Sequence, residues 1–205
     1  MLTTYTLTLA IDEAHVRALA ESGATLVLAK SARNAKPNLA WLAWTPASEN
    51  IVRWDETYGV YAAEAASAEG RAPRILDSVH PAADRRVYPF HGTAFGPPSD
   101  GPRVPHRHYD VRNAGPVAVA FGLLQDAVVN GATRRSPVNA VVLPPTFTAD
   151  FTAVAQLYIW THGSEPVPGA APDVPDDATI VTLDPARPIM AYRYEETSAT
   201  FVRSR

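Results

Sequence analysis

The sequence predicts an all-β protein: an antiparallel β-sandwich of two sheets with one short helix, about residues 12–22, near the N-terminus. Three observations carry that expectation. Apolar and polar residues alternate in short runs rich in Val, Thr, Tyr and Trp, the period of half-buried strands. Gly, Pro, Asn and Asp separate those runs at short intervals. Proline accounts for 19 of 205 residues, and so many interruptions suit short strands joined by turns rather than a helical bundle.

The first run, "TTYTLTLA" (3–10), sets Tyr5, Leu7 and Leu9 against Thr4, Thr6 and Thr8, which reads as a strand with one buried face. The helix follows. Asp12 is its expected N-cap, Ile11 and Val16 form a hydrophobic staple, and Gly23 is its terminator. Val16, Leu19 and Ala20 supply a narrow apolar stripe, and a helix this short must pack on a sheet to be stable.

Strands are then expected in "ATLVLAKS" (24–31), "LAWLAWT" (39–45), "NIVRW" (50–54), "YGVYAA" (58–63) and "PRILDSV" (73–79). "LAWLAWT" is apolar on both faces and reads as a central strand. Residues 91–105, "HGTAFGPPSDGPRVP", lose periodicity and read as a linker or long crossover. Strands resume in "RHYDVRN", "PVAVAFGLL", "AVVNG", "NAVVL", "AQLYIWT", "TIVTL", "IMAYRY" and "ATFVRS". Asn130-Gly131 is the strongest hairpin signal in the chain. Residues 163–177, acidic and Pro-rich, read as a surface loop.

One domain over 1–205 is the expectation, the alternative being two β halves, 1–90 and 106–205, joined by 91–105. "TLTLAIDEAHVRALAESGATLVLAK" and "NAVVLPPTFTADFTAVAQLYIWT" both read as strand, interruption, apolar strand. A duplication behind that pattern would relate the halves by a pseudo-twofold axis.

Composition narrows the function classes. With 46% hydrophobic and 19% charged residues the chain is globular. A net charge of −3, with only isolated arginine pairs in "DRRV" (84–87) and "TRRS" (133–136), argues against nucleic acid as a partner. There is no cysteine, hence no disulfide, thiolate nucleophile or cysteine-based zinc site. No run approaches the roughly 18 apolar residues of a membrane-spanning helix, and "MLTTYTLTLAIDEAH" lacks the features of a signal peptide. The default location is therefore cytoplasmic, with secretion left open. Walker, G-x-G-x-x-G and G-x-S-x-G motifs are missing, so no nucleotide cofactor is expected.

Two constellations carry functional expectations. In "WLAWTPASENIVRWDETYGVY" Trp41, Trp44, Trp54, Tyr58 and Tyr61 fall within 21 residues, flanked by Asn, Glu and Asp, the composition with which β-sandwich modules stack on and hydrogen-bond to sugars. Asn50, Trp54, Asp55, Glu56 and Tyr58 are the candidate ligand-binding residues. In "VPHRHYDVRN", His106, His108 and Asp110 lie two apart and would share one face of an extended strand. Imidazole and carboxylate there could hold a divalent transition metal, with His91 or His162 as a distant further ligand. The cupin pattern that His-x-His begins wants a Glu four to five residues on, where Arg112 and Asn113 stand, and Arg107 opposes a cation.

The leading expectation is a non-enzymatic binding module for glycans or small polar ligands, without a cofactor. The alternatives are a metal-dependent or acid–base enzyme built on the His stripe, and a self-associating structural or membrane-surface β protein that forms homo-oligomers.

Overall fold

A computed structural model describes residues 2–31, 36–65, 72–101, 103–152, 156–163 and 168–204. The chain runs β1 (Thr4–Ala10), α1 (Glu13–Glu21), β2 (Thr25–Ser31), β3 (Ala40–Trp44), β4 (Glu49–Asp55), β5 (Gly59–Glu64) and β6 (Ile75–Val79). It continues through β7 (Arg86–Phe90), β8 (Ser99–Asp100), β9 (His108–Asn113), β10 (Val119–Val129), β11 (Ala132–Pro137) and β12 (Val141–Leu143). The last elements are β13 (Thr148–Thr152), β14 (Gln156–His162), β15 (Thr179–Thr182), β16 (Ile189–Glu195) and β17 (Thr200–Arg203). The fold is all-β with one short helix, and no described helix is long and apolar enough to cross a membrane.

The described strands form three sheets, where two were expected. The largest runs β17-β16-β1-β4-β10-β5-β6, with β11 and β12 both paired to β10. The others run β13-β9-β7-β8 and β15-β14-β2-β3. Pairing is mostly antiparallel, but β1–β16 and β7–β9 are parallel. The 91–105 stretch is the connection between the parallel neighbours β7 and β9 and contributes β8 on the way. Strands from both sides of that stretch share sheets: β10 pairs with β4 and β5, and β2 with β14. The two segments compared for duplication differ between their strands, since the first interruption is α1 and the second contains β13.

The alternation in β1 holds: Tyr5, Leu7 and Leu9 are buried. They join Leu26, Leu28, Trp41, Val52, Trp54, Phe90 and Phe121 in the main core. Each such aliphatic side chain contributes roughly 1.5–3 kcal/mol by leaving water. Trp54 stacks on Tyr5 at 5.3 Å and meets Trp41 edge-on at 5.6 Å. The helix lays Val16 and Leu19 on this core, while Ala20 stays exposed. Asp12 occupies the N-cap position but makes no side-chain capping bond, and Gly23, at φ 67°, follows the helix as expected.

Other expectations shift. "PVAVAFGLL" and "AVVNG" merge into the single eleven-residue β10, which turns through Asn130 and Gly131 into β11, both turn residues having positive φ. β3 ends its sheet rather than lying at the centre. Its outer edge is closed by the segment expected as a surface loop: Gly169 donates to the Ala40 carbonyl, Ala40 donates to that of Ala170, and Ala170 is buried. Residues 164–167 of that loop lie outside the described residues.

Candidate functional site

β4 ends at Asp55, and residues 56–58 carry the chain into β5. That turn separates two clefts. The larger, about 580 Å³, is lined on one wall by Glu56, Thr57 and Tyr58 and on the other by Asp84, His106 and Arg107. Two stretches singled out separately in the sequence, around Glu56/Tyr58 and around His106, thus meet in one place.

Arg107 is its hub. It takes a left-handed backbone conformation, φ 64°, just before β9 begins at His108. From there its guanidinium pairs with the Glu56 carboxylate, while its backbone N–H donates to Asp84 Oδ2 at 2.8 Å. His106 pairs with the same Asp84 carboxylate through Nδ1. The Arg107 N–H, and after it the His106 imidazole, hold the Asp84 carboxyl below the usual carboxylate range. Glu56 also accepts from the Tyr5 hydroxyl at 3.1 Å; burial first and this carboxylate second push the phenol up to about 12.

Tyr58 and Tyr109 line the cleft from below, both mostly buried, with ring centroids 6.1 Å apart. Burial raises the Tyr109 phenol, so it stays protonated. Asp55 turns to the other side of the β4 end. It accepts from Thr4 Oγ1 and lines a second cleft of about 440 Å³ with Thr4, Arg53, Trp54 and His80.

Three of the expected ligand-binding residues are buried. Trp54 is 3% exposed and held between Tyr5 and Trp41, so its ring offers no face to a sugar. Asn50 is fully buried, accepting from Trp44 Nε1 and the Ala47 N–H and donating to the Leu9 and Ala47 carbonyls. Tyr58, 2% exposed, is as buried as Trp54 and offers no ring face either.

The His stripe does not form one face. The positive φ at Arg107 breaks the extended alternation, so His106 lies in a turn and His108 in the strand. They engage carboxylates on opposite sides of β9: His106 pairs with Asp84, ahead of β7, and His108 Nδ1 lies 2.7 Å from Asp150 Oδ1 on β13. Asp110 sits directly opposite Asp150 across the strand pair; burial first, and the Asp150 charge second, raise its carboxyl. His91 packs on Gly96, and His162 lies on β14 in another sheet. Among the described residues no three metal-ligating side chains gather to hold an ion.

A residue the motif scan missed is Lys30. It shares the inward face of β2 with Leu26 and Leu28 and is 1% exposed. Its ammonium lies 3.7 Å from the Trp41 ring centroid and 4.7 Å from that of Trp54, and donates to the Gln125 side-chain oxygen. Burial holds this amine well below the ordinary lysine value of 10.5, with the Glu56 charge opposing. The indole faces favour the cation, but taking an ammonium fully out of water disfavours it, and the net shift is downward. Desolvation therefore wins.

The consequence for stability has a definite sign. Between the folded-state pKa and 10.5, the unfolded chain carries a proton that the folded chain has released. Stability should then rise with pH through that window, by at most about 1.4 kcal/mol per unit, and level off above it. Lys30→Met should remove that slope. Urea denaturation of both proteins from neutral pH to beyond 10.5 would measure it, and parallel curves would show that the amine is charged when folded.

No family model, no curated protein and no solved structure matches the chain.

Proposed function

We propose that the protein is a non-enzymatic binding module for small, hydroxyl-bearing polar ligands, carbohydrates above all, held in the Glu56–Asp84–Arg107 cleft. The observation that carries this reading is a cleft whose acceptors and donors, Glu56, Asp84, His106 and Arg107, are already fixed by one another. A ligand hydroxyl can accept from the guanidinium and donate to either carboxylate. Because Arg107 ties both carboxylates in place, little side-chain entropy is lost on binding. Asp84, held ionised, serves as an acceptor rather than a proton donor near neutral pH.

The test is calorimetry and amide-shift mapping with a panel of monosaccharides and disaccharides. Binding at millimolar ligand, with shifts centred on residues 56–58, 82–84 and 106–109, is expected. Arg107→Ala should weaken it about tenfold or more, the loss of charge-assisted hydrogen bonds. No heat and no shift with any sugar would end this reading.

Self-association is a second reading, favoured by one observation. Val141 and Val142 on β12 are 45% and 51% exposed, Phe147 beside them is 59% exposed, and β12 pairs only with β10 among the described strands. A short apolar edge of this kind can add a strand from a second copy. Light scattering should then show mass rising with concentration, and Val142→Lys should abolish the rise.

A further inference from the structure

We propose that the second cleft, beside Asp55, binds a small α-amino acid, with its ammonium between His80 and Asp126 and its carboxylate at Arg53. The cleft, about 440 Å³, opens at a gap in the largest sheet. β11 covers one edge of β10 from Leu124 to Val129, so β4 and β5 share the other. β4 pairs there at Val128 and Val129, and β5 from Leu124 back to Val119. Between them the chain arches away through 56–58, and residues 125–127 have no partner on that side among the described strands. Continued register would set Asp55 opposite Asp126, a like-charge pair that destabilises a ladder. The buried Gln125 amide bridges the gap instead, donating to the Asp55 carbonyl at 2.6 Å.

His80 lines this gap, just past the end of β6. Gly59 makes room for its ring, since a Cβ there would lie 2.8 Å from His80 Cδ2. The His80 side chain is 11% exposed, and its Nε2 lies 3.9 Å from Asp126 Oδ2. That nitrogen is buried and has no hydrogen-bond partner among the described residues, a rare state for a polar atom. Burial lowers the His80 pKa more than the Asp126 charge raises it, so the ring is neutral near pH 7. Asp126 is itself held by Arg135, whose Nε and Nη2 donate to its two oxygens at 2.6 and 2.9 Å. A ligand nitrogen about 2.8–3.0 Å from both Nε2 and Oδ2 fits across the 3.9 Å between them. With the ring proton on Nδ1, an ammonium placed there donates to the imidazole and to the carboxylate.

The surrounding charges select a zwitterion over a simple amine. Arg53 and Asp55 share the outward face of β4, and both are exposed. Arg53 makes no ion pair among the described residues, whereas Asp55 already accepts from Thr4 Oγ1. The charges of Arg53 and Arg135 cancel those of Asp55 and Asp126, so a ligand of zero net charge leaves none uncompensated. Its carboxylate takes the Arg53 fork as a bidentate pair. The Thr57 and Thr133 hydroxyls line the rest, and the volume leaves room for the amino-acid side chain. The Arg107 cleft shares only Thr57 with this one, so the two sites stand or fall separately.

The experiment is amide-shift mapping and calorimetry on the native full chain near neutral pH, with L-alanine, ethylamine and propanoate as probes. Alanine should bind at millimolar concentration and move the amides of residues 53–55, 80, 126–128 and 133, together with the His80 Nε2 resonance. Ethylamine lacks the carboxylate and propanoate the ammonium, so each should bind at least about tenfold more weakly. Arg53→Gln, at an exposed position, should bring alanine down to the level of ethylamine. His80→Gln should weaken alanine and ethylamine alike. Propanoate or ethylamine binding as tightly as alanine, or Arg53→Gln binding alanine unchanged, would overturn the proposal. So would alanine shifts confined to the Arg107 cleft, or no shift at these residues with any probe.

Discussion

Gly122→Ala is expected to destabilise the protein by at least about 3 kcal/mol, at the upper end of overpacking costs. The new methyl carbon would sit 1.9 Å from the Asn139 carbonyl oxygen and 2.8 Å from its carbonyl carbon. The clash is with backbone, so no rotamer relieves it. Residues 138–140 cross close over β10, between the pairings of β11 and β12 to that strand. Asn139 is fixed there from several sides: its carbonyl accepts from the Tyr61 hydroxyl at 2.7 Å and its side-chain oxygen from the Leu123 N–H at 2.8 Å. The Val138 N–H also bonds the Leu123 carbonyl. Moving Asn139 away from the methyl group breaks that set at the junction of three strands. Gly131→Ala is the comparison, since its Cβ would meet nothing within 4 Å and only its φ of 85° is unfavourable. That change should cost about 1 kcal/mol. Denaturation midpoints of the two variants measure the difference, and equal losses would show that β10 and Asn139 do not approach this closely.

The strands were largely readable because their signal is local. Period-two alternation marked β1, and short apolar or β-rich runs bounded by turn residues marked β2, β4, β5, β14 and β16. β7 was missed because Pro89 interrupts it, a residue that disfavours a central strand. The segment that became β13 carries one large apolar residue, Phe151, too little to show a pattern. How strands pair is a non-local property, so neither the three-sheet division nor the parallel β1–β16 and β7–β9 contacts could be read from local alternation.

The site divides along the same line. In "NIVRWDETY", Asn50, Val52 and Trp54 fall on one face, so the burial of Asn50 and Trp54 was legible from the company of Val52. Lys30, in register with Leu26 and Leu28, carried the same signal. What the residues did not disclose was the left-handed turn at Arg107. An arginine gives no hint of positive φ, yet that turn separates His106 from His108 and brings the guanidinium to Glu56. A residue read as an obstacle to a metal is the one that assembles the cleft.

Asn50→Ala should lose about 3–5 kcal/mol of stability while leaving ligand affinity unchanged in whatever fraction remains folded. The side chain is fully buried and its amide makes four hydrogen bonds. Truncation leaves the Trp44 indole N–H, the Ala47 N–H and the Leu9 and Ala47 carbonyls without that partner. Each buried unsatisfied group costs about 1–3 kcal/mol, with relaxation of the 45–48 turn returning part of the sum. Asn50→Asp sharpens the test. Its carboxylate keeps the two acceptor roles but points at two carbonyl oxygens, so burial and those dipoles raise the folded-state pKa above the unfolded value. The protonated form can donate to one carbonyl, so the folded state binds the proton more tightly. Stability of the aspartate variant should therefore recover as pH falls through its raised folded pKa and be lost as pH climbs back through it. Wild type has no such feature at this position. Near-ultraviolet circular dichroism should report the Trp44 environment through the same transition, because its indole N–H bonds position 50 at 3.0 Å. If both variants were as stable as wild type yet failed to bind sugar, Asn50 would be a recognition residue after all, and the separation between the β4 interior and the Arg107 cleft would not hold.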